Sequence, residues 1–126
     1  MESRCKSTTG HGLIMITAVI GSRNFTDYKL LESTLESLPE ITQIVSGGAK
    51  GADSLAKTYA EQHQLPLVIF KPDWKQYGKG AGIVRNRQII DAAQMVVAFW
   101  DGVSKGTASS LALAKAKGIP VHIVKI

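Results

Sequence analysis

The chain has 126 residues, 44% of them hydrophobic and 20% charged, enough for one domain that buries roughly two-thirds of its unfolded surface. That balance is ordinary for a globular protein and argues against disorder. The longest apolar run, Leu13–Ile20, has eight residues, too few to span a membrane, and the formal net charge of +5 points to an anionic partner.

The one cysteine, Cys5, cannot form an internal disulfide, so a reducing, cytoplasmic compartment is expected. His11, His63 and His122 show no ligand spacing with another His, Cys or carboxylate, so no metal site is expected. Residues 1–12 are small and polar without a period and read as a loose, flexible tail. The remainder, 13–126, reads as one domain.

Leu13–Ile20, rich in Ile and Val, reads as a strand covered on both faces. Arg4 and Lys6 precede it, but Gly21-Ser22-Arg23-Asn24 after it lacks the small-residue site of a secretory signal. Thr26 or Asp27 can cap a helix over about 28–37, where Leu30, Leu31, Leu35 and Leu38 form a stripe and Pro39 stops it. A second strand, 41–46, runs into the turn Ser46-Gly47-Gly48-Ala49-Lys50-Gly51-Ala52-Asp53. Leu55, Ala56, Tyr59 and Ala60 then recur at helical spacing.

Residues 65–70 form a third apolar run, with Pro66 at its start where it costs no ladder bond. The stretch 71–82, with Pro72, Trp74, Tyr77 and three glycines, reads as a functional loop. A helix over about 83–93, a strand at 95–100 and the glycine turn 101–107 follow. An Ala-rich helix over about 107–117, ended by Gly118 and Pro120, leads to a last strand at 121–125. Five strands alternating with helices favour a mainly parallel sheet with helices on both faces. The segments 21–27, 46–53, 72–87 and 101–107 all follow strands, so they should converge on one edge, where such sheets bind ligands.

Each segment carries candidate chemistry. Arg23, beside Ser22, can pair bidentately with phosphate or bond to loop carbonyls. Gly47, Gly48 and Gly51 let the backbone approach a ligand and Lys50 adds a cation, or the glycines only ease a strand–helix turn. Asp53 can cap the helix, accept a sugar hydroxyl or act as a base. Arg85 and Arg87 near a helix start are unfavourable by about 0.3–1 kcal/mol per charge, which an anionic ligand would explain. Two residues apart, they do not share a face, so one can bind ligand while the other pairs with protein. Lys71, Lys75 and Lys79 precede them against Asp73 alone, either as a binding segment or as a solvated face. Trp74 and Tyr77 can stack on a base or close over the core. Ser104, Gly106 and Thr107 offer hydroxyls and N–H groups to a phosphate, with Thr107 alternatively a plain helix cap. Asp101 can hold a sugar hydroxyl, transfer protons or cap. Neither a Walker loop nor a G-x-G-x-x-G turn is present, so no standard dinucleotide site and no resident cofactor are expected.

As a set, Gly21-Ser22-Arg23, Ser46 through Asp53, Gly82-Ile83-Val84-Arg85-Asn86-Arg87 and Ser104-Lys105-Gly106-Thr107 resemble the SLOG superfamily. That superfamily groups the DNA-processing protein DprA (Smf) with the Lonely guy cytokinin-activating enzymes, and the match is to its YspA/YpsA-related branch. The resemblance covers about residues 14–126. It implies a Rossmann-like three-layer α/β sandwich and a pocket for a nucleotide or nucleotide-derived ligand. Ser22, Arg23, Gly47, Gly48, Asp53, Arg87, Gly106 and Thr107 would line that pocket. Arg87 sits where Lonely guy enzymes carry an Arg, but Val103 through Ser110 holds no Glu to match their catalytic one, the carboxylate that would stabilise an oxocarbenium-like centre.

Three functions follow. The leading one is capture of a nucleotide or ADP-ribose-like signal, with Arg87→Ala expected to weaken binding at least tenfold. The second is a nucleoside-monophosphate N-glycosidase in which Asp53 or Asp101 replaces the missing Glu and Arg87 assists. The third is single-stranded nucleic-acid binding of the DprA type. SLOG relatives commonly assemble, so the resemblance also implies a homo-oligomer.

Overall fold

A computed structural model describes residues 14–126; the expected tail at 1–12, with Cys5 and His11, lies outside the described residues, as does Leu13. The elements run β1 (Ile16–Gly21), α1 (Tyr28–Glu36), β2 (Gln43–Ser46), α2 (Ala52–Gln62) and β3 (Leu67–Ile69). Then come α3 (Trp74–Tyr77), a 3-10 turn (Gly78–Gly80), α4 (Ala81–Ala92), β4 (Met95–Trp100), α5 (Lys105–Lys117) and β5 (Val121–Lys125). The stretch 71–82, expected as a loop, is mostly short helical turns. Both later helices start two residues earlier than the expected 83 and 107.

All five strands are parallel, in the order β3-β2-β1-β4-β5. Strand β4 returns to the far side of β1, so the sheet reverses its direction of growth between β1 and β4, with Gly21 opposite Phe99 at their carboxyl ends. Alternation along the strands divides the core in two. Val19, Ile44, Val97 and Phe99 face α1 and α2, packing on Leu31, Leu35, Ala56 and Tyr59. Ala18, Ile20, Val45, Val96 and Ala98 face α4 and α5, packing on Ile89, Ile90 and Ala114. These are the three layers of a Rossmann-like α/β sandwich.

Local chemistry accounts for the helix ends. Asp27, not Thr26, caps α1 by accepting Leu30 N–H at 3.1 Å, as a short carboxylate side chain does. Gly118 ends α5 in the left-handed conformation at φ +84°. Lys117 Nζ donates to the carbonyls of Ile90, Asp91 and Ala93 at 2.8–3.0 Å, filling the acceptors left at the end of α4. On the outer face, His63 closes α2. It stacks on Tyr59 with centroids 4.0 Å apart and lies 3.5 and 3.8 Å from Glu32 and Glu36. Sequence spacing could not show that His–carboxylate grouping, because two helices meet to make it.

Candidate functional site

The loops after β1, β2 and β4 meet α4 at the carboxyl edge of the sheet and enclose a cleft of two lobes. The inner lobe, about 470 Å³, reaches Asp53, Asp101, Thr107 and Ser110. The outer lobe, about 820 Å³, reaches Gly47, Gly48, Lys71, Trp74, Lys79 and Ile83. Arg23, Ala49, Arg85, Asn86, Lys105 and Gly106 form the wall common to both. Arg23 and Gly48, from two different loops, and Gly106, from the first turn of α5, thus stand around one opening.

The turn after β2 is occupied largely by the protein's own groups. A Cβ on Gly47 would lie 2.6 Å from Arg85 Nη1, and that nitrogen donates to Gly47 O at 2.8 Å. Gly51, at φ +76°, presses against the carbonyl oxygens of Ser22 and Arg23, and Ala52 N–H donates to Ser22 O at 3.3 Å. Gly51 therefore serves the contact between two loops rather than a ligand, and it lines neither lobe. It also occupies the N-cap of α2, so Asp53 does not cap that helix. Asp53 stands in the first turn and folds back to accept Ala49 N–H at 3.1 Å. Burial pushes its carboxyl above the ordinary carboxylate range, against the opposing pull of the Ala49 and Ser46 hydrogen bonds and the Arg85 charge. Lys50 is exposed and lines neither lobe.

The turn after β4 is built the other way. Asp101 Oδ1 accepts Val103 N–H at 2.9 Å and Ser104 N–H at 2.8 Å, and Oδ2 accepts the Ser104 hydroxyl at 2.9 Å. Those donors, Val103 N–H first, hold its carboxyl down to about 2, so it is ionised and poorly suited to moving protons. Ser22 is 2% exposed. Its hydroxyl accepts Asp101 N–H at 3.2 Å and lies 3.2 Å from Ser104 Oγ. Ser22 thus ties the first loop to the fourth and is absent from both lobes. With Ser104 turned to Asp101, α5 has no side-chain cap. The N–H groups of Lys105, Gly106 and Thr107 have no partner among the described residues. They carry the positive end of a 13-residue helix at the cleft wall.

Of the two arginines, Arg85 enters the cleft, steadied by Asn86 Oδ1 at 3.0 Å. Arg87 is exposed and lines neither lobe. The reason is helical phase: residues two apart point about 200° apart around an α-helix. The resemblance placed Arg87 in the pocket; the fold puts Arg85 there instead. Thr107 and Gly106 stand where the motif placed them, with Thr107 on the inner lobe rather than at a cap. Several lining residues were not named as site candidates, among them Asn86 and Lys105 within the motifs and Ser110 outside them. Ser110 could have been found, since it lies three residues after Thr107 and so shares its helix face.

The family model described as YAcAr, the YspA, cpYpsA-related SLOG family, matches residues 15–77. The Gene 61 protein of Mycobacterium phage D29 is 34% identical over 113 residues, covering 82% of this chain and 90% of that protein. No solved structure matches the chain. Among the described residues no helix is long and apolar enough to cross a membrane. The half-chain match and the near full-length relative, on this parallel sheet with this cleft, make the chain a member of the YspA, cpYpsA-related SLOG family.

Proposed function

We propose that the protein captures a nucleotide or an ADP-ribose-like derivative in this cleft, with a phosphate on the first turn of α5. One observation carries the reading. Three free N–H groups at the start of α5 share the cleft wall with Arg23, Arg85 and Lys105. Arg23 and Lys105 have no ion pair among the described residues, and Arg85, bonded to Gly47 O and Asn86, has no carboxylate within ion-pair distance. Donors, helix dipole and cations gathered on one wall suit a phosphate. A cytoplasmic setting fits such a ligand. Mass spectrometry of small molecules released on denaturation, followed by calorimetry with the compound found, tests the proposal. No released nucleotide and no heat from a nucleotide panel would overturn it.

A second reading, cleavage of the N-glycosidic bond, has one observation in its favour. Asp53 lines the inner lobe with its carboxyl raised by burial, the direction a general acid needs. Asp101, held ionised by its loop donors, is the poorer proton donor of the two. Chromatography of nucleoside monophosphates after incubation decides: free base released by the native protein and not by Asp53→Asn would establish turnover.

A further inference from the structure

The outer lobe has a feature that phosphate capture does not use. Trp74 is 60% exposed and Ile83 58% exposed, both line that lobe, and neither belongs to the two apolar cores. Trp74 therefore does not close the loop over the core, the alternative its sequence context left open. We propose that this apolar shelf is a nucleobase subsite, where the Trp74 indole stacks on the base of a ligand whose phosphate sits at α5. The inference rests on the phosphate reading above and adds where the base lies.

The shelf is held on ordered backbone. Asp73 caps α3 by accepting Gln76 N–H at 3.1 Å, and α3 runs through the 3-10 turn into α4, which carries Ile83 and Arg85. The indole and the Arg85 guanidinium thus stand on successive helical turns, joined through a break at Gly78 (φ +56°). Charge decides what class of flat molecule enters. Lys71 and Lys79 line the same lobe and Lys105 its inner wall, without an ion pair among the described residues. An apolar face ringed by free cations suits an aromatic ring that arrives bearing phosphate, and disfavours a neutral aromatic or an apolar partner helix. The common wall of Arg23, Arg85 and Gly106 joins the two lobes, so one ligand can occupy both. Among the outer-lobe residues only Asn86 and Ser109 offer short polar side chains that could read a base edge. Stacking, which every base supports, should therefore dominate, favouring purines over pyrimidines with little distinction between adenine and guanine.

The test is calorimetry and tryptophan fluorescence with AMP, GMP, UMP, ribose 5-phosphate and inorganic phosphate, on native protein, Trp74→Phe and Trp74→Leu. Native protein should bind AMP and GMP alike and at least tenfold tighter than ribose 5-phosphate. AMP should quench fluorescence where ribose 5-phosphate does not. Trp74→Leu, with Trp100 as its remaining tryptophan among the described residues, should lose the quench and shrink the AMP advantage below threefold while keeping its affinity for ribose 5-phosphate. Trp74→Phe should keep most of the advantage. If AMP binds no tighter than ribose 5-phosphate, or Trp74→Leu weakens both equally, the base subsite is overturned while the phosphate site stands. If no probe binds, both proposals fall. Quenching by an oligodeoxynucleotide but not by AMP would assign the shelf to a nucleic-acid strand and overturn the proposal as well.

Discussion

The turns after β2 and β4 resemble each other in composition, yet they are put to opposite uses. In the turn after β2 the glycines make room for the protein itself: Gly47 for the Arg85 guanidinium and Gly51 for the Ser22 and Arg23 carbonyls. Its carboxylate, Asp53, covers Ala49 N–H. In the turn after β4 the carboxylate faces inward on its own loop, and a Cβ on Gly106 would meet no heavy atom within 4 Å. The lesson is that a glycine-rich strand–helix turn is not by itself a ligand site. What matters is whether the freed space and donors have already been filled.

The largest expected effect comes from the filled turn. Gly51→Ala places a methyl group against two backbone oxygens at a positive φ and should cost about 3 kcal/mol or more, read as a lowered midpoint in denaturant unfolding. A near-native midpoint would mean that this contact between loops is loose. Next is Arg85→Ala, expected to weaken nucleotide binding at least tenfold, about 1.4 kcal/mol. It should also cost about 1 kcal/mol of stability through the lost bond to Gly47 O. Calorimetry and unfolding on the same variant separate the two effects. Gly106→Ala, in the open turn, should stabilise the fold by about 0.5–1 kcal/mol while lowering nucleotide affinity. Undiminished affinity would move the phosphate away from α5.

The two carboxylates should differ in the sign of their pH response. Asp101, lowered from 3.8 to about 2, contributes stability that is fully present above pH 3.8 and lost as pH falls toward 2. Asp53 is raised, so its contribution is fully present below 3.8 and lost as pH rises through its folded value. Asp101→Asn should therefore flatten the acid limb of a stability–pH curve, and Asp53→Asn the limb above it. Both variants flattening the same limb would refute the contrast. The smallest effect is reserved for Arg87→Ala: being outside the cleft, it should change affinity by less than about 0.5 kcal/mol. A tenfold loss would restore Arg87 to the site.

Much of the fold was legible in sequence. Runs such as Met95–Trp100, short and apolar at every position between turn signals, read as strands buried on both faces. Gly118 and Asp27 punctuate helices by chemistry that acts within a few residues. The roles of site residues were less legible. Arg85 and Arg87 are equally cationic, and which one enters the cleft depends on where α4 begins and how it lies on the sheet. Ser22 looked like a ligand contact, yet its hydroxyl is committed to residues 79 and 82 positions away. Trp74 could stack on a base or close over the core, and only the fold, which leaves it on a cleft wall, decides between them.

The amino-acid sequence alone determined the alternation of strands and helices, and with it the rim on which the connecting loops gather, because periodicity and turn chemistry act over a few residues. Only the tertiary structure decided which of that rim's donors remain open. That depends on contacts between loops far apart in the chain: the turn after β2 is sealed by Arg85, 38 residues on from Gly47, while the N–H groups of Lys105, Gly106 and Thr107 at the start of α5 meet no acceptor among the described residues.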